Sequence, residues 1–321
     1  MMCKIIFSVF CLCLAGCSSS PPSSLWSENK NHVRVLSTTA MIDDLVSQVG
    51  GEYVDHRTLI AGELDPHSYE LVKGDDEKIA EAHLLVANGL GLEHGASLRY
   101  WLEKHPFALS IGDEIQKSYP DLILKVDGEL DPHIWMDISL WANAVDPIVK
   151  ALSQLDPEHA SYYRENGSHT FKKMQDAHVK MINLLQTVPA ERRFLVTSHD
   201  AFNYFTRSYL AEVGEENWEE RFAAPEGLAP DGQLSSSDIQ RIIDHLCHYK
   251  IGVVFPESNV SKDSLRKIIS ACREKGHAVK ISSEVLYGDA MGGRGSHADT
   301  YLDMIEHNAS VLLRDWSDSD E

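Results

Sequence analysis

Asp-Pro-His occurs twice in this 321-residue sequence, in DPHSYE at 65–70 and in DPHIWMD at 131–137. Proline fixes its own φ at about −65° and restricts the residue before it. His67 and His133 therefore each stand on a short, stiff turn. A metal site wants preorganised ligands, and Asp-Pro-His presents an imidazole without needing a helix. His199 follows directly on the apolar run RFLVTS (193–198). Asp289 stands in YGDAMGGRGSHADT, where Gly288, Gly292, Gly293 and Gly295 allow close backbone approach. Three imidazoles and one carboxylate make a closed site for a first-row divalent ion. Asp65 and Asp131 are placed to orient the His67 and His133 rings by accepting the N–H that faces away from the ion. Spacing alone is a weak signal, because the three histidines are spread from 67 to 199. The sequence holds 16 histidines in all, so most need another explanation. His94, His105, His159 and His248 have polar neighbours and read as solvated. His178 falls on an apolar helical stripe and reads as a satisfied core histidine.

Loops that carry ligands need a rigid frame, and strand-like runs alternate with helical ones from His32 onward. Strands are expected at 32–38, 53–60, 84–88 and 107–112, with helices at 39–50, 75–82 and 96–104. The alternation restarts with strands at 193–198, 251–258 and 278–282 and helices at 236–249 and 262–276. Ser236 or Ser237 is the expected cap of the first of these. Such alternation implies an α/β fold, with a parallel sheet flanked by helices in each of two lobes. Ligands in open parallel sheets bind beyond the carboxyl ends of the strands. That is where His199 falls, with His67 shortly after Ile60. Between the lobes runs one long helical pattern. Asp156-Pro157 reads as its cap and first turn, and Pro189 ends it. Phe171, Met174, His178, Met181, Ile182, Leu185 and Val188 form its stripe. Residues 157–188 would reach about 48 Å at the α-helical rise, enough to join both lobes. The expected layout is a lobe over 32–155, a linking helix over 156–189 and a lobe over 190–321.

The N-terminus reads as export. MMCKIIFSVFCLCLAGCSSS has an early Lys4, a short apolar run and then small residues, too short to span a bilayer and laid out like a secretory signal. A plain cleaved signal or an N-terminal anchor would also fit. Leu14-Ala15-Gly16-Cys17 resembles a bacterial lipobox, which makes 1–16 the signal, Cys17 the lipidated first residue and the Ser/Pro-rich stretch 17–31 a flexible tether. Of the six cysteines only Cys247 and Cys272 lie outside the signal region. They could pair outside the cytosol or remain two buried thiols. A formal charge of −20 argues against nucleic acid, since nothing neutralises phosphates.

DPHSYE, DPHIWMD, TSHDAF and YGDAMG…TYLDMIEHN, with VANGLGLE at 86–93, together resemble the metal-ion receptors of bacterial ABC importers, the solute-binding lipoproteins for zinc, manganese and iron. The resemblance covers 32 to about 308. It implies a metal held between two similar lobes on one rigid helix, with His67, His133, His199 and Asp289 as ligands. It also implies an ABC permease and its ATPase subunit as partners, a lipid anchor on a periplasmic or envelope-facing membrane, and a monomer. Manganese-only members often carry glutamate where His199 stands. Zinc-directed members often carry a histidine-rich loop, whereas 113–130 here has no histidine. One divalent zinc, manganese or iron ion per chain is the expectation. The segment 212–236 suggests no role. A zinc hydrolase would need an open coordination position and a general base, for which four protein ligands leave little room. An adhesin-like lipoprotein is permitted by the tether and supported by nothing else.

Overall fold

The computed structural model describes residues 26–27, 31–230 and 234–317. The signal region, Cys17 and nearly all of the tether lie outside them. The first half begins with β1 (Val33–Ser37), α1 (Ala40–Gly50), β2 (Val54–Thr58), α2 (Asp75–Glu81), β3 (Leu84–Ala87), α3 (Ala96–Lys104), β4 (Ala108–Ser110) and α4 (Ile111–Ser118). The four strands form one parallel sheet in the order β2-β1-β3-β4. Strand β3 reads Leu-Leu-Val-Ala and is buried at every residue, as a strand covered on both faces must be. The strand expected through 112 stops at Ser110. Asp113 accepts from the Ser110 hydroxyl at 2.5 Å, Gly112 N–H donates to Asn88 C=O at 2.7 Å, and the chain turns into α4.

A hairpin of β5 (Lys125–Val126) and β6 (Glu129–Leu130) follows. Asp127 and Gly128 turn it with φ of 51° and 91°, the left-handed pair that a tight Asp-Gly hairpin demands. It leads straight into Asp131-Pro132-His133. Helices α5 (Ile138–Trp141) and α6 (Val145–Leu155) close this half. Asp137 caps α5 by accepting from the Ser139 and Leu140 N–H groups.

The connecting helix is α7 (Ala160–Leu185), 26 residues and about 39 Å long at the α-helical rise. It is shorter than expected at both ends, since Pro157–His159 forms a separate 3-10 turn and the helix stops at Leu185 instead of Val188. Asp156 does not cap it. Its Oδ2 instead pairs with the Tyr163 hydroxyl at 2.6 Å and the His159 ring at 2.7 Å. His159 also stacks on Tyr53 at 3.6 Å, so it is held rather than solvated. Phe171 is 41% exposed and leaves the expected stripe, while Met174, Met181 and Leu185 stay buried.

The second half contains β7 (Leu195–Val196), α8 (Asn203–Phe205) with a wider turn over Thr206–Leu210, β8 (Phe222–Ala223), α9 (Ser236–Tyr249), β9 (Val253–Val254), α10 (Asp263–Glu274), β10 (Lys280–Ile281) and α11 (Tyr301–Ser317). Strand β7 pairs in parallel with β8, and β9 with β10. Phe255 N–H donates to Val196 C=O at 2.8 Å and brings β9 beside β7. The strands β7, β9 and β10 are two residues long where five to eight were expected. Segment 212–236 supplies β8. The cap of α9 is Ser235, one residue before the expected serines, in a reciprocal capping box with Asp238. Cys247 and Cys272 are free thiols, and burial together with the neighbouring Cys247 pushes Cys272 up to about 11. One apolar cluster runs from Met41 and Val46 through Met174 and Met181 to Met304 and Leu312, so both halves share a core across α7. Among the described residues no helix is long and apolar enough to cross a membrane.

Candidate metal centre

Each expected ligand sits on a loop between regular elements. His67 follows β2. Asp65 Oδ1 accepts its main-chain N–H at 2.8 Å, and Asp65 Oδ2 accepts from the Ser68 hydroxyl at 2.5 Å. Asp65 therefore builds the turn instead of orienting the ring. Asp131 does both for His133. Its Oδ1 lies 2.9 Å from the His133 main-chain nitrogen and 2.8 Å from ring Nδ1, while its Oδ2 accepts from Asn203 at 3.0 Å. His199 leaves the end of β7 and Asp289 follows β10 beyond Gly288.

Segment 88–94 ties the two first-half loops together. Asn88 Nδ2 donates to Pro132 C=O at 2.9 Å, and His94 N–H donates to His67 C=O at 3.1 Å. Gly89, Leu90 and Gly91 all take positive φ, 76°, 54° and 85°, a run that costs a leucine strain. The buried Glu93 carboxylate secures it by accepting from Thr38 Oγ1 at 2.6 Å, Asn88 N–H at 2.8 Å and Gly89 N–H at 3.0 Å. This is the structural content of VANGLGLE.

The four side chains converge. Their ligand atoms all lie within 4.8 Å of one another, and all four residues are buried. His67 Nε2 is 3.3 Å from His133 Nε2. Asp289 Oδ1 is 3.3 Å from His133 Nε2, and Oδ2 is 3.5 Å from His67 Nε2 and 3.1 Å from His199 Nε2. Four ligands placed tetrahedrally about 2.0–2.1 Å from one ion lie about 3.3–3.4 Å apart. The separations fit an ion at the centre. They fit hydrogen bonding less well, since His199 Nε2 and Asp289 Oδ1 are buried without an aligned partner. His94, His105 and His248 stand outside the cluster. His178 bonds the Tyr209 hydroxyl at 3.0 Å.

Charge is concentrated here. Burial alone would raise Asp289, but the three imidazoles hold it well below the usual carboxylate range. Burial alone would lower His133, yet the Asp131 carboxylate outweighs it and pushes the ring up to about 9. His199 is likewise pushed well above its ordinary value, with Glu257 and Asp289 overcoming desolvation. For His67 burial wins and the shift is downward. The sequence reading missed Glu257, although a lone charge just past the apolar run IGVVFP was a usable signal.

Comparison with known proteins agrees with this architecture. The profile for ZnuA, the periplasmic zinc-uptake complex component A, matches residues 35–314. The metal-binding protein YtgA of Chlamydia muridarum is 37% identical over 310 residues, covering 95% of this chain and 93% of its own. The manganese-binding lipoprotein MntA of Bacillus subtilis is 31% identical over 318 residues, covering 98% of each. The crystal structure of Fe(III)-bound YtgA from Chlamydia trachomatis superposes with a TM-score of 0.83 at 36% identity, covering 88% of this chain and 98% of that one. The chain belongs to the ZnuA family, the periplasmic substrate-binding components of ABC systems for zinc, manganese and iron uptake.

Proposed function

We propose that this chain captures one transition-metal ion with His67, His133, His199 and Asp289 and hands it to an ABC permease powered by its ATPase subunit. The observation that carries this is the set of four buried donors whose ligand atoms all lie within 4.8 Å of one another. Family membership supports the permease and ATPase as partners. A closed four-ligand shell favours carriage over catalysis, because a catalytic zinc keeps one position for water. In this reading residues 1–16 are removed and Cys17 carries the lipid. The tether 17–31 places a monomer at the membrane surface on the periplasmic or envelope side. The working parts are a lobe over 32–155, a helix over 156–189 and a lobe over 190–321.

Zinc, manganese and iron are all candidate cargoes, since related proteins are described with manganese and with ferric iron and the family with zinc. Affinity for nitrogen and oxygen ligands rises from manganese through iron to zinc, so the isolated protein should hold zinc more tightly than manganese. Both Asp289 oxygens face imidazoles, at 3.3 Å and 3.1 Å. Bidentate coordination would raise the coordination number and suit manganese or iron. Competition calorimetry on demetallated protein tests the assignment. Alanine at each of the four positions should weaken binding at least about tenfold, while His178→Ala and His248→Ala should not. Equal losses at the control histidines would refute the ligand set, and manganese displacing zinc at equal concentration would refute the ranking.

A further inference from the structure

Glu257 stands just past β9, behind one of the four ligands. It is 1% exposed. Its Oε1 accepts two main-chain N–H groups, from Ser198 at 2.9 Å and from His199 at 2.8 Å. Its Oε2 lies 2.6 Å from His199 Nδ1, while His199 Nε2 faces Asp289 at 3.1 Å. The approach to Nδ1 is close but off the line of the N–H. One carboxylate thus grips both the main chain and the ring of the same residue. Asp131 grips His133 in the same double fashion in the other half.

The second half is built to admit this carboxylate. Leu286 N–H donates to Pro256 C=O at 2.8 Å and Ser258 N–H donates to Leu286 C=O at 2.9 Å, so the Glu257 segment and the Asp289 loop are bonded together. Gly288 lies between them. A Cβ at 288 would overlap Glu257 Oε2 and come within 3.2 Å of His199 Cε1. The residue before the ligand Asp289 is therefore small because Glu257 occupies the space.

We propose that Glu257 is a positioning residue for metal capture, holding His199 with Nδ1 protonated and the Nε2 lone pair aimed at the cargo. Its charge makes the imidazole a stronger donor. Together with Asp131 and Asp289 it places three buried carboxylates around one cation, one in contact and two through rings. This inference rests on the ligand reading above, so wild-type binding is measured first, and absence of binding there would count against that reading.

Glu257→Gln keeps an oxygen for the Ser198 and His199 N–H groups and removes the charge. It should lower affinity for zinc about 10–100-fold, and it should also lower the metal-free melting temperature, because the buried His199 ring loses its counter-charge. Long-range nitrogen NMR of the histidine rings separates positioning from general damage. Glu257→Gln should move the His199 Nδ1 signal and spare His67 and His133, whereas Asp131→Asn should move His133 and spare the others. Gly288→Ala gives a second route, since it displaces the carboxylate without altering its chemistry, and it should weaken zinc binding in the same direction. Wild-type affinity in folded Glu257→Gln would overturn the proposal. So would equal shifts of all three rings. If Glu257→Gln fails to fold, wild-type affinity in Gly288→Ala would overturn it.

Discussion

At neutral pH the His133 ring carries a proton that an incoming metal ion must displace. Asp131 pushes it up to about 9 against the pull of burial, and metal binding requires the neutral ring. The sign runs opposite ways for the two forms. A histidine whose folded value is raised contributes stability that is complete below its unfolded value, about 6.5, and is lost as pH rises through the folded value. The metal-free protein should therefore lose melting temperature between pH 6.5 and 9, while the increment added by zinc grows over the same interval. Paired thermal melts in chelator and in zinc would check this, and a metal-free melting temperature that rises over the interval would remove Asp131 as the cause. The ligands themselves were legible because Asp-Pro-His twice over is a chemical signal as well as a pattern. Glu257 and Glu93 were not, since their partners are main-chain groups and side chains from distant segments, His199 for one and Thr38 for the other, that no spacing rule connects to them. Asp65 and Asp131 look alike in sequence, and only the fold shows that one builds a turn while the other also reaches a ring.

Among the elements, the first sheet was legible almost to the residue and the second was not. Strands β1 to β3 are paired along most of their length, so apolar runs and strands coincide. In the second half RFLVTS and IGVVFPES keep only two paired residues each. Their flanks bend away to deliver His199 and Glu257, and an apolar run does not record where pairing stops. Helix α7 shows the same limit. Gly167, whose type would ordinarily weaken a helix, is buried where α6 crosses, and a Cβ there would sit 2.5 Å from Val149 Cγ2. Alanine would gain about 1 kcal/mol of helix propensity and incur about 1–3 kcal/mol of overpacking against a stiff β-branched neighbour. Overpacking should win. Gly167→Ala is expected to destabilise the protein by about 1 kcal/mol in urea melts, and a stabilised variant would mean that α6 yields freely. Zinc affinity in that variant should change little, because α7 frames the lobes without touching the ligands.

In the whole molecule, two ligands come from each half, so the relation between halves decides capture and release. That relation is stitched on both sides of the site. The Tyr204 hydroxyl donates to Asp131 C=O at 2.9 Å and accepts from Leu124 N–H at 3.0 Å. Tyr209 accepts from Ile138 N–H at 2.9 Å. Trp135 Nε1 donates to Gly288 C=O at 2.9 Å, one residue from Asp289, and the Tyr301 hydroxyl donates to Trp135 C=O at 2.6 Å. A shared apolar core lies behind these bonds, and close-packed interiors shift between discrete arrangements instead of deforming smoothly. Wide hinge opening would break all of this at once. A displacement of about 1–2 Å of one packed layer against the other would already pull His199 and Asp289 out of reach of a shared ion. Spin labels on the exposed residues Glu103 and Glu274 should therefore report a zinc-dependent distance change of about 1–2 Å. Zinc at about a hundredfold above its dissociation constant should at the same time add about 2.7 kcal/mol to stability. A hinge-like change several times larger would show that the hydroxyl and indole bonds between the halves do not persist without cargo. Release would then begin with rupture of the interface, and the permease would not need to act on the ligand loops.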